Sequence, residues 1–169
     1  MNRLFIVCPF SNMEVFVQKR FGTHTLFLTS MGAQVPCNEY QQIMIMRDLL
    51  ESEQIESINL VNDTDCRFLN AVVKRELQHR TAAQSVLEEI YIEHFYQSFH
   101  NRPEAEQIAR LAALHLQQQM NNLRESSLLG NYISANSIEV KAWLTTRTKG
   151  RWHHLQSSSS LLRAASMSV

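Results

Sequence analysis

The sequence predicts an α/β fold of three layers, with a mostly parallel central sheet flanked by helices. Three observations predict it. Leu4-Phe5-Ile6-Val7 is an unbroken apolar run, the pattern of a strand buried on both faces. Two more strand-like runs, residues 25–29 and 55–61, are rich in β-formers, and each follows a stretch with helical spacing. Connections long enough to hold a helix favour parallel pairing, because antiparallel neighbours need only a short turn.

The elements follow in order. Met13, Phe16 and Val17 recur at helical spacing, and Phe21-Gly22 is a stop signal. Asn38 is placed to cap a helix running to about Glu53, with Ile43, Met46, Arg47 and Leu50 on its inner side. Residues 69–99 hold neither Gly nor Pro and read as one long helical stretch with a break inside it. Pro103, followed by Glu104 and Glu106, opens another helix whose buried stripe is Ile108, Leu111, Ala112, His115, Gln119 and Leu123. A short helical piece follows near Leu128. Residues 138–144 alternate in polarity, which predicts a strand with one wet face at a sheet edge. Thr148-Lys149-Gly150 reads as a turn, with a short return strand from Trp152, so the chain should end in an antiparallel edge hairpin. Residues 1–155 are expected to form one domain. The serine-rich stretch 156–169 is expected to be a mobile tail.

Charge narrows the function. Lys plus Arg and Asp plus Glu are both 16, so there is no electrostatic case for nucleic acid or an acidic membrane as partner. No apolar stretch is long enough to span a bilayer, and the apolar run at the N-terminus is too short for a signal peptide. Three cysteines do not suggest a disulfide scaffold, so a reducing, cytoplasmic setting is expected.

Two of those cysteines lie where ligand sites form. Cys8 directly follows the first strand, and Cys66 follows the third across Asn62-Asp63-Thr64-Asp65. Adjacent parallel strands deliver their ends to one crevice. Two thiols there can hold a metal, or they can simply be small buried hydrophobes.

Taken together, these segments resemble the β-class carbonic anhydrases. That family has a zinc-binding Cys-x-Asp-x-Arg after its first strand and His-x-x-Cys after its third. Cys8 stands at the first position, and Asp63-Thr64-Asp65-Cys66 occupies the second motif. The segment from Leu26 to Gln34, containing Gly32-Ala33, falls at the distance of the family's second-strand motif. Gln119 to Arg124 and Ala142-Trp143 with Gly150 are similar to its C-terminal helix and hairpin. No motif is intact; the resemblance lies in weak matches appearing in order over about residues 4–155.

The departures bear on the chemistry. Phe10 and Asn12 replace the family's aspartate and arginine, Asp63 its histidine ligand, and Arg67 the glycine after the second cysteine. No counterpart of the family's clasping N-terminal helical arm precedes Leu4, which leaves its usual assembly open. The resemblance implies zinc, and Cys8, Asp63 and Cys66 are the possible ligands. Metal-free thiols are the favoured alternative. A carboxylate in place of imidazole makes the metal site singly negative, and a more electron-rich metal acidifies its bound water less. Carbon dioxide hydration needs that water brought down to about 7. Phe10 cannot handle a proton, and Asn12 supplies no positive charge. The expectation is a carbonic anhydrase-like protein without efficient hydration, acting by association. The alternative is a repurposed zinc lyase or hydrolase with a Cys-Asp-Cys site. A third possibility is a small anion such as bicarbonate in a pocket of Gly32, Ala33 and Arg67. The resemblance also implies a homodimer.

The other chemistry-bearing residues take plainer readings. His115 is expected to be a hydrogen-bonded core histidine. His153 and His154 should point to opposite sheet faces. Arg147, Lys149 and Arg151 read as a solvated basic turn, and Asp63 and Asp65 are also candidates to cap the helix beginning near Leu69. Cys37 is expected to be an uninvolved thiol.

Overall fold

The computed structural model describes residues 2–35, 37, 39–76 and 81–155. Asn38 and the stretch 156–169 lie outside the described residues. Strands β1 (Asn2–Val7), β2 (Thr25–Thr29), β3 (Ile55–Asp63) and β4 (Glu139–Thr146) pair in parallel, and β5 (Arg151–His154) returns antiparallel to β4. The sheet order is β2-β1-β3-β4-β5. Leu4 sits opposite both Leu26 and Ile58, and Ile58 opposite Val140.

The alternation of the strands divides the core in two. Leu4 and Ile6 join Ile58, Leu60, Ala142 and Leu144 on one face; Phe5 and Val7 join Val61 on the other. Both faces are covered, which is why β1 reads as a continuous apolar run. Helix α1 (Glu14–Phe21) covers the second face with Val17, and the aromatic rings of Phe16, Phe21, Trp143 and Trp152 pack there. The first face carries the buried side chains of α2 (Tyr40–Ser52), α3 (Arg67–Lys74), α4 (Ala82–Glu93), α5 (Glu104–Glu125) and α6 (Leu129–Ala135). The expected stripe of α5 is buried in full. Among the described residues no helix is long and apolar enough to cross a membrane.

Two expectations need correction, the edge placement of β4 and the inward face of Arg47, and the break expected within 69–99 is located. β4 is interior, flanked by β3 and β5, so the hairpin's edge strand is β5; the alternation of β4 reflects a partly covered face, not a free edge. The stretch 69–99 breaks after Lys74, where Arg75 turns left-handed at φ 57° and its N–H and that of Glu76 bond back to Val72 and Ala71. Thr81 then caps α4 by accepting from the Gln84 N–H at 3.1 Å, and residues Phe95–Phe99 form a π-helical turn. Thr81-Ala82-Ala83-Gln84 has the spacing of a capping box, a local signal that the reading of 69–99 as one stretch passed over. Arg47 is exposed, its guanidinium 5.2 Å from the Tyr132 ring centroid.

Candidate functional site

Val7 of β1 pairs with Val61 of β3, so the C-terminal ends of two neighbouring strands adjoin. The chain leaves β1 through Cys8 into a single 3-10 turn, Pro9–Ser11, held by the Ser11 N–H on the Cys8 carbonyl at 3.0 Å. It leaves β3 into a tight turn, with the Cys66 N–H on the Asp63 carbonyl at 3.0 Å, and Cys66 becomes the N-cap of α3. Asn70 Nδ2 fixes that turn by donating to the carbonyls of Thr64 and Cys66 at 2.8 Å. The two thiols therefore meet. Cys8 is 2% and Cys66 0% exposed.

A third segment completes the crevice. The Ser30 N–H bonds to the Val7 carbonyl at 3.0 Å, and Gly32, at φ 69°, turns its N–H onto Cys8 Sγ at 3.3 Å. Glycine suits the left-handed backbone at this position, and the Phe68 ring and Leu87 pack at ordinary contact distance from it. Gln119 on α5 secures the end of the segment by accepting from the Val35 N–H at 2.8 Å.

Hydrogen bonding between the thiols splits their acidities. The bond to Cys66 lowers Cys8 to about 7 against the opposing effect of burial, with help from the backbone N–H groups of Phe10, Gly32 and Ala33. The same bond and burial raise Cys66. The pair titrates as a unit in which Cys66 keeps its proton. Cys37 stands apart, raised by burial to about 11.

Asp63 faces elsewhere. It ends β3 opposite Thr145 of β4, and at 1% exposure its carboxylate is committed to the hairpin. Oδ1 accepts from Thr145 Oγ1 and from the Arg147 N–H, both at 3.0 Å, and Oδ2 lies 3.7 Å from Arg147 Nε. Burial raises Asp63 to about 6, offset in part by the Arg147 N–H and reinforced by the Asp65 charge. Its neighbours make the same attachment: Thr64 Oγ1 donates to Thr146 Oγ1 at 2.9 Å, and Asp65 Oδ2 accepts from the Thr148 N–H at 2.7 Å. Asp63 and Asp65 thus hold the β4–β5 turn and do not cap α3, and Arg147 is an anchor of that turn. Sequence reasoning missed Thr145 and Arg147 as partners.

The remaining candidates scatter. Phe10, 40% exposed, stacks on Phe68 with centroids 6.1 Å apart and planes at 21°. Asn12 ends the 3-10 turn in the left-handed region at φ 50°, which asparagine tolerates well. Ala33 is buried beside Gly32, also left-handed at φ 57°. Arg67 is exposed on the first turn of α3. His115 is fully buried, its Nδ1 3.0 Å from Asn62 Nδ2, and burial lowers it to about 4, so it is a neutral core residue.

Neither a protein-family model nor a curated relative matches the sequence. Solved structures do match. The β-carbonic anhydrase CafA of Aspergillus fumigatus superimposes with a TM-score of 0.75 at 13% identity, over 99% of this chain and 82% of that one. Tetrameric β-carbonic anhydrases of Sordaria macrospora give 0.77 at 15%, over 92% and 81%. A. fumigatus CafD gives 0.77 at 16%, over 92% and 90%. The fold is that of the β-carbonic anhydrases.

In this chain the donor set does not fit the zinc centre that the resemblance implies. Two sulfurs converge, but Asp63 Oδ1 is held by Thr145 and the Arg147 N–H, and Oδ2, which makes no hydrogen bond, lies 3.7 Å from Arg147 Nε. Among the described residues no three His, Cys, Asp or Glu side chains form a metal-holding group. A catalytic zinc needs three protein ligands and an open fourth position.

Proposed function

We propose that this is a carbonic anhydrase-like protein that does not hydrate carbon dioxide efficiently and acts through association. The attachment of Asp63 to the β4–β5 turn carries the reading: the residue at the histidine-ligand position serves the hairpin. Phe10 and Asn12 support it, because a stacked ring and a turn-forming amide neither hold nor move a proton at the crevice. The burial of Cys8 and Cys66 adds to it, since a catalytic metal held there would lack the water-open fourth position that hydration needs. Two reduced thiols suit a reducing compartment such as the cytoplasm.

Stopped-flow hydration with purified protein, metal content assayed on the same sample, tests the proposal. The expected rate equals the buffer blank. A rate well above it, lost in Cys66→Ser, overturns the reading.

The partner we propose is a second copy of the chain. The Sordaria neighbours are tetrameric, and large apolar side chains including Val15, Ile45, Ile92 and Tyr96 stand exposed here. Light scattering at micromolar concentration should give twice the chain mass. A monomer across that range removes the homodimer.

A further inference from the structure

The crevice holds a pair of soft donors without the third ligand that zinc requires. We propose that Cys8 and Cys66 form a two-thiolate site for a soft monovalent d10 cation of the copper(I) class. Thiolates select such ions over harder ones, and two-coordinate binding between two sulfurs is a geometry that copper(I) accepts and zinc does not. An iron–sulfur cluster would need four cysteines. Binding is a simple exchange: the cation enters, two S–H bonds break, two metal–sulfur bonds form, and the protons leave to solvent, with no change in oxidation state. The product carries one net negative charge.

The surroundings are built for that charge. The Gly32 N–H bonds Cys8 Sγ at 3.3 Å, and Cys66 stands at the N-cap of α3, where the first-turn N–H groups have no partner within the helix. Backbone N–H groups converging on one point stabilise an anion without bringing a competing proton donor. The neighbouring side chains are apolar: Phe68 packs over Gly32, and the half-exposed Phe10, two residues after Cys8, stacks on Phe68. A dry site of this kind protects copper(I) from water and oxidant. Asp63 cannot join, because Thr145 and Arg147 hold it. This inference shares the Asp63 observation with the proposed function but does not depend on the hydration result.

The test is an anaerobic titration of the full chain, kept reduced with a phosphine, with copper(I) against a chromophoric chelator. One copper per chain is expected. Loss of a sulfur ligand should cost more than the ~10–100-fold that a ligand's hydrogen-bond partner is worth, so Cys8→Ser and Cys66→Ser should each weaken binding by more than about 100-fold. Cys37→Ser and Asp63→Asn should retain it. X-ray absorption of the loaded wild-type chain should show two sulfur neighbours and no others, a readout independent of whether the variants fold. No uptake by folded, reduced protein overturns the proposal, as does uptake that survives Cys8→Ser. One equivalent of zinc, bound in a parallel titration and lost in Asp63→Asn, also overturns it and restores the Cys-Asp-Cys site.

Discussion

Gly130→Ala should destabilise the chain by ~3 kcal/mol or more, at the upper end of what overpacking costs. A Cβ on Gly130 would lie 2.2 Å from the backbone oxygen of Arg124, 2.9 Å from its carbonyl carbon and 3.0 Å from the Leu123 oxygen. These are backbone atoms in the last turn of α5, so no side chain can swing aside. The glycine is helical, and space rather than conformation demands it here. Its N–H bonds the Ser126 carbonyl at 2.8 Å, which draws α6 against the end of α5 and seats Leu129 and Ile133 in the core. For a chain of this size the loss corresponds to a fall of roughly 6–12 °C in melting temperature. A scanning calorimetry shift within about 2 °C of wild type would show that α6 can move away at little cost.

Asp63→Asn should stabilise the protein above neutral pH by ~1–2 kcal/mol and change little near pH 4. The folded chain holds the Asp63 proton to about 6, against an ordinary value of 3.8. The folded state therefore binds that proton more tightly than the unfolded one. The stability linked to this group is complete below the ordinary value and is lost as pH rises through about 6. At about 1.4 kcal/mol per unit, roughly two units set a ceiling near 3 kcal/mol on the cost of ionising the group in its buried place. Asparagine keeps an oxygen to accept from Thr145 Oγ1 and the Arg147 N–H. It gives up the 3.7 Å contact with the half-exposed Arg147 guanidinium, worth little against solvent and salt. Urea unfolding at pH 4 and pH 8 measures both arms. A variant less stable than wild type at pH 8 would mean that the Arg147 ion pair outweighs desolvation.

The fold was largely legible in the sequence because its signals are local. The β1 run, the β-rich segments around Phe27 and Ile58, and the apolar stripe of α5 each report burial through their own periodicity, whatever packs against them. The Gly22 stop works within a few residues of itself. The convergence of Cys8 and Cys66 was legible as well, since it needs only that β1 and β3 be parallel neighbours.

The fate of Asp63 was not legible. Its partners Thr145 and Arg147 lie 82 and 84 positions along the chain. Spacing alone left that carboxylate open to a metal or a helix cap. Only after β4 aligned with β3, and β5 folded back to form the turn at Arg147, did one of those roles have partners in place. Periodicity records how each segment divides between water and core, whereas the direction of a single polar side chain depends on which distant donors packing brings within 3 Å.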